Sequence, residues 1–188
     1  MRIAYFDAFS GIAGDMMLGA LLDLGLPLPV LEDQIRKLGM PGVEVRTREV
    51  HKNGIRATKA DVWIGDQKEE PGEAHGAHSH GTHSHRHPSD QHHSYRSIHE
   101  RIVGANLGMQ TTTYATRIFR ALAVAEGRVH GKPIDEVHFH EVGAFDAIVD
   151  IVGLSAGLVH FGIEKIFVSA VPAGSGFVNT DHGRMPVP

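Results

Sequence analysis

Between Gly65 and Ser94 apolar side chains almost vanish from this chain, and Gly, Ser, Pro, Glu and His take their place. A stretch of that composition buries too little apolar surface to repay the entropy of ordering it. Any core must therefore be assembled from the residues on either side. The sequence thus divides into a first α/β part at 1–65, a flexible histidine-rich loop at 66–94, and a second α/β part at 95–188, the two parts belonging to one N-terminal domain.

The flanks carry recognisable elements. Arg2 to Phe6 is a short run of strand formers, and a glycine-containing turn from Asp7 to Gly14 leads into a helix starting near Asp15 and ending at Gly25. In that helix Met16, Leu18, Ala20, Leu21, Leu22 and Leu24 form a broad apolar face. A second helix is expected from about Pro29 to Leu38, stopped by Gly39. Val43 to Val50 alternates, Asn53-Gly54 is a strong turn signal, and Ile55 to Ile64 resumes the alternation, which together predict a β-hairpin.

Beyond the loop, helices are expected over Tyr95–Leu107 and Thr111–Val129, the latter with Tyr114, Ile118, Leu122 and Ala125 on one face and Gly131 and Pro133 as its stop. Glu136 to His140 alternates briefly, Ala144 to Phe161 has helical length, and Lys165 to Ala170 reads as a strand. Strands alternating with helices predict an α/β fold, a layered sheet with flanking helices.

Composition narrows the chemistry. With no cysteine, there is no disulfide and no thiolate ligand, so any metal must be held by imidazole and oxygen. No apolar run approaches the ~20 residues of a membrane span, and the N-terminus lacks a signal-type core, which leads us to expect a cytoplasmic protein without a membrane partner. The formal charge is −4 and the Lys and Arg residues are scattered, so no nucleic-acid partner is expected. The close at His182-Gly183-Arg184-Met185-Pro186-Val187-Pro188 has no terminal helix, and a longer parent protein is expected.

Eight of the 15 histidines, His75, His78, His80, His83, His85, His87, His92 and His93, fall in the loop. Neutral imidazole suits nickel, copper, zinc and cobalt, and a flexible chain can wrap any of them. The tract is internal and interrupted, unlike an expression tag.

Three further groups carry candidate chemistry. In Asp7-Ala8-Phe9-Ser10-Gly11-Ile12-Ala13-Gly14-Asp15, Gly11 and Gly14 could bring backbone amides to an anion at the helix N-terminus, with Ser10 adding a hydroxyl. Asp7 and Asp15 there would repel a bare phosphate and favour a bridging Mg²⁺ or Mn²⁺, or a hydroxyl or cationic ring partner; the plainer alternative is that Asp15 caps the helix while Gly11 and Gly14 serve the turn. His138, His140, Glu141, Asp146 and Asp150 form a second set, with the two aspartates at i,i+4 on one helix face. Val171 to Gly176 and Asp181-His182-Gly183 mark a small-residue turn and one more imidazole.

Phe6-Asp7 with Ser10-Gly11-Ile12-Ala13-Gly14-Asp15-Met16, the histidine loop, His138-Phe139-His140-Glu141-Val142-Gly143 with Asp146 and Asp150, and Gly174-Ser175-Gly176 with His182-Gly183 through Pro186-Val187-Pro188 resemble the nickel-insertion proteins of the lactate racemase cofactor pathway. The blocks run in that family's order along the whole chain. The resemblance implies a pyridinium-3,5-bisthiocarboxylic acid mononucleotide nickel insertase, a cyclometallase of the lyase class. Such an enzyme uses CTP and a divalent cation, Mg²⁺ or Mn²⁺, to activate the substrate, releases pyrophosphate, and forms nickel–carbon and nickel–sulfur bonds to give the nickel-pincer nucleotide. It implies Asp7, Asp15, His138 and Glu141 as catalytic candidates and Ser10, Gly11, Gly14 and His182 as substrate contacts. His138, His140, Asp146 and Asp150 join the loop histidines as metal ligands. It also implies a homo-oligomer and a C-terminal domain that binds CTP. Two other readings of the residues stand beside it: a nickel store or metallochaperone, in which the histidine loop is the whole function, and a Mg²⁺-dependent nucleotide or phosphate enzyme built on the glycine loop and its aspartates.

Overall fold

A computed structural model describes residues 1–68, 94–139, 145–180 and 183–187. The histidines between His75 and His93 lie outside the described residues, as do His140, Glu141 and His182.

Strand β1 (Ile3–Phe6) leads into helix α1 (Gly14–Asp23). That helix ends because Gly25 takes φ 99°, letting Gly25 N–H reach the Leu22 carbonyl and Leu26 N–H the Leu21 carbonyl at 3.0 and 2.9 Å. The closing pair of bonds satisfies carbonyls that α1 would otherwise leave bare, and Leu26 is buried beneath it. Helix α2 (Leu28–Lys37) follows with a proline in its first turn, where a missing N–H costs nothing. Arg101 of a later helix donates to the carbonyls of Leu38 and Gly39 just past its end.

Strands β2 (Val43–Lys52) and β3 (Ile55–Ile64) form the hairpin, in register from Val43 opposite Ile64 to Lys52 opposite Ile55. Its two turn residues, Asn53 and Gly54, both have positive φ, the geometry that a tight primed turn requires and that Asn-Gly supplies most readily. A short strand β4 (Gln67–Lys68) adds to the free edge of β3, so ordered pairing reaches beyond the Gly65 boundary inferred from composition.

Ser94 caps helix α3 (Tyr95–Gly104) by accepting the Ser97 N–H at 3.1 Å. Helix α4 (Met109–His130) runs between Gly108 and a left-handed Gly131. Its buried stripe is Thr111, Ala115, Phe119, Ala123 and Gly127, one position away from the face expected from Tyr114, Ile118, Leu122 and Ala125. Small residues line the packed side because α3 and the later helix α5 (Phe145–His160) approach it closely. Phe119 is the one large side chain in that stripe, fully buried with its ring 6.1 Å from that of Phe139. We expect Phe119→Ala to lower stability by about 3–5 kcal/mol through lost burial and an unfilled cavity, read as an earlier urea midpoint at an unchanged m value. A loss below about 1 kcal/mol would contradict this packing.

The centre of the core is α5 (Phe145–His160). It packs against α1, α2 and α4, and Ile148, Val149, Val152, Gly153, Ala156, Gly157 and Leu158 are all buried. Buried Ser155 satisfies its hydroxyl on the Ile151 carbonyl at 2.7 Å. Before α5 the expected strand around His138 is a 3-10 turn (Ile134–Glu136) followed by extended chain, paired only at an isolated bridge between Ser94 and His138. Val137 and Phe139 point into the core and His138 outward, so the alternation read from the sequence is present without a strand to carry it.

Strand β5 (Lys165–Val168) pairs parallel to β1, with Tyr5 opposite Phe167. The chain then forms a second hairpin, β6 (Phe177–Thr180) and β7 (Gly183–Pro186), across the segment expected to be a turn and a proline-spaced tail. Arg184 lies over the Phe177 ring, 4.4 Å from its centroid. The mixed α/β class and the first hairpin are as read from the sequence, and the strands divide among three small sheets. No helix among the described residues is long and apolar enough to cross a membrane.

Candidate functional site

Both parallel strands end at the same edge of their sheet, and the loops that leave that edge are tied together. Ser169 N–H donates to the Phe6 carbonyl at 2.9 Å, and Ala8 N–H donates back to the Ser169 hydroxyl at 2.8 Å. Gly11, at φ 94°, closes a tight turn by donating to the Ala8 carbonyl at 3.0 Å. Asp7 and Ser10 stand exposed on this loop. The outlet of parallel strands is where open α/β sheets place their ligands.

The loop delivers the chain to the N-terminus of α1, and there α5 meets it. Gly14 lies so close to the Asp150 carboxylate that a methyl group in its place would overlap that carboxylate. Glycine is thus required at 14 by packing. Ala13, with extended backbone, holds the cap position of α1. Asp15 sits inside the first turn and accepts the Met16 N–H at 2.8 Å, so it is not the helix cap.

Asp146 and Asp150 both project from the start of α5 toward this point. Burial chiefly raises the Asp146 pKa; hydrogen bonds from the Ala147 and Asp146 amides lower it in part, and the charge of Asp15 raises it. For Asp150, burial first, then the charges of Asp146 and Asp15, push the carboxyl up to about 7. Among the described residues its buried Oδ1 has no hydrogen-bond partner. The charges of three carboxylates therefore meet at one helix junction, and one has an oxygen left without a partner among the described residues. Lys59 of β3 supplies an opposing charge, 3.4 Å from Asp15 Oδ2, and reaches on to Asp61 at 3.7 Å, which also pairs with Arg48 at 3.3 Å.

The sequence-derived candidates are thus brought together unevenly. Asp15, Asp146 and Asp150 converge, Gly14 is packed among them, and Asp7, Ser10 and Gly11 sit on the adjoining loop. His138 lies exposed at the Ser94 bridge, beside the end of the histidine-rich stretch. Among the described residues, no three His, Asp or Glu side chains stand close enough to hold a metal ion as placed. Lys59 and Ser169 were missed in the sequence. Lys59 could have been found by counting the register back from Asn53-Gly54, which sets it opposite Arg48 and on the same face as Asp61.

Comparison with known proteins decides what kind of chain carries this arrangement. The model of a family described as nickel insertion protein matches residues 4–188. The chain belongs to the nickel insertion protein family. A relative from Thermotoga petrophila, named pyridinium-3,5-bisthiocarboxylic acid mononucleotide nickel insertion protein, is 49% identical over 187 residues, which cover 100% of this chain and 43% of that protein. A protein of Citrifermentans bemidjiense that bears the nickel insertion name provisionally is 43% identical over 188 residues, again 100% of this chain and 43% of the relative. One from Acaryochloris marina, named in the same provisional way, is 44% identical over 188 residues with the same coverage. This nickel insertion family chain thus spans less than half the length of these curated relatives. No solved structure matches it.

Proposed function

We propose that this chain is the part of a nickel insertase that receives nickel and presents it to pyridinium-3,5-bisthiocarboxylic acid mononucleotide. The observation that carries this reading is the coupled Asp15, Asp146 and Asp150 group at the outlet of the parallel strands, in a chain of the nickel insertion family. Nickel is the substrate metal. The histidines from His75 to His93, with His138 and His140, gather Ni²⁺, whose affinity for imidazole is high.

The carboxylates serve the divalent cation that accompanies CTP. Oxygen donors suit Mg²⁺ or Mn²⁺, and the buried Oδ1 of Asp150, without a partner among the described residues, is an acceptor that a cation would satisfy. Asp15, Asp146 and Asp150 are the oxygen donors we assign to it; as placed they stand too far apart to hold an ion together, so binding would have to draw them in, and when bound the cation would draw charge from a phosphate oxygen. The repulsion that helps raise the Asp146 and Asp150 pKa values would be relieved by the cation. Ser10, Gly11, Gly14 and His182 are the candidate contacts of the mononucleotide. Forming the nickel–carbon bond releases the proton of the pyridinium ring carbon, and Asp7, Asp15, His138 and Glu141 are the candidate groups to take it. Nickel–sulfur bonds to the two thiocarboxylates complete the product. CTP binding and assembly into a homo-oligomer belong to the portion of the longer protein beyond this chain, and the lactate racemase cofactor is the destination of the product.

Calorimetric titration with Ni²⁺, Zn²⁺, Co²⁺ and Mg²⁺ tests the division of labour. Tight nickel binding is expected to disappear when residues 75–93 are deleted, leaving a weaker site that takes Mg²⁺ and that Asp146→Ala with Asp150→Ala removes. Absence of nickel binding in the intact chain would sink the insertase reading in favour of a Mg²⁺-dependent nucleotide enzyme. Survival of the weak site in the double variant would remove the carboxylates from the proposal.

A further inference from the structure

The β1–β5 pair is incomplete as a sheet. Parallel strands are normally covered on both faces and grouped with several neighbours, because an isolated pair buries too little to hold itself. Here the pair has no third strand, and no helix packs along either strand among the described residues. Its anchorage is at the ends, through the Ala8–Ser169 exchange and through Arg2, which reaches the Phe161 carbonyl at 2.8 Å and accepts the Glu164 N–H at 2.9 Å.

What the pair exposes is apolar. Tyr5 is 64% exposed and its register partner Phe167 51%, while Ile3, Ile166 and Val168 are each about half exposed. Phe177, at the start of the second hairpin, is 63% exposed. Single exposed apolar residues are ordinary, but neighbouring aromatic and β-branched residues on an unpaired edge mark a surface that something covers. The longer relatives supply an occupant, since more than half of each lies outside the stretch shared with this chain.

We propose that the open β1–β5 pair is the seat of that remaining polypeptide, which adds strand to the pair's edge and covers the Tyr5–Phe167 face. The inference rests on family membership and the unpaired edge, not on the assignment of the carboxylates, so it stands or falls separately from the insertase reading. Strand addition suits the site because backbone groups on the edge would fix the register while the exposed rings of Tyr5 and Phe167 would favour apolar side chains. The docked polypeptide would lie beside the loops at the strand outlet, so that the carboxylate group becomes part of a cleft with two walls.

Hydrogen exchange on this 188-residue chain and on the longer Thermotoga petrophila relative tests it. Amides of Ile3–Phe6 and Lys165–Val168 are expected to exchange roughly 100-fold more slowly in the longer protein than in this chain, with α4 and α5 changing far less. Equally fast exchange of the two strands in both proteins would overturn the proposal. So would protection in the 188-residue chain that rises with its own concentration and is abolished in a Tyr5→Lys, Phe167→Lys variant, since that pattern assigns the face to a second copy.

Discussion

Asp150→Asn is expected to make the protein more stable, and to do so only above mildly acidic pH. The carboxyl is held at about 7 in the folded chain, against 3.8 as the ordinary value. Below pH 4 it is protonated whether folded or unfolded and contributes no penalty. As pH rises from 4 toward 7 the unfolded chain ionises freely while the folded chain must keep the proton or bury a charge. Stability is therefore lost through that window, reaching on the order of 4 kcal/mol once the folded group has titrated. The neutral amide has nothing to titrate. With chelator present to keep metals away, the variant should melt roughly 10 °C above the parent at pH 8 and at nearly the same temperature at pH 4. A variant less stable than the parent at pH 8, or an equal difference at both pH values, would show that Asp150 is not held protonated by burial and its neighbours.

The second large effect has the opposite sign from what local preference suggests. Gly19 sits inside α1, where alanine is the better helix former by about 1 kcal/mol. Its Cα faces the backbone carbonyl of Thr58 on β3, and an added methyl would overlap that oxygen. Neither partner is a flexible side chain, so α1 and the hairpin would have to separate. Gly19→Ala should cost at least about 3 kcal/mol, measured as a fall in the urea midpoint. Any gain in stability would mean that α1 does not rest on β3 as described.

These two residues show which parts of the molecule can be read in advance. Helix ends and the first hairpin were legible because Gly25, Gly39, Asn53-Gly54 and Gly131 act through local backbone geometry. The face of α4 was misread by one position because large side chains dominate a periodicity count, whereas the packed stripe is made of Thr111, Ala115, Ala123 and Gly127 around a single phenylalanine. The second hairpin was hidden by Pro186, which sits on an edge strand where a missing N–H is tolerated. Within the site, the i,i+4 spacing of Asp146 and Asp150 was visible and their neighbours were not. That Asp15 comes to α5, and that Lys59 comes to Asp15, depends on how α1 lies between two other elements, and no short-range pattern encodes it.

Helix α1 touches its surroundings through absent side chains on both sides. Gly14 and Gly19 let it close on Asp150 and Thr58, and from the other direction Gly153 and Gly157 of α5 admit Leu18 and Leu21, each so near that an added methyl would come within 2.7 Å. Such a helix is gripped like a shim between two jaws and has no play in either direction. The separation between the hairpin's lysine and the α5 carboxylates is thereby fixed as a mechanical tolerance, so that adding a single carbon atom to the shim would detune the charge balance without altering any charged residue.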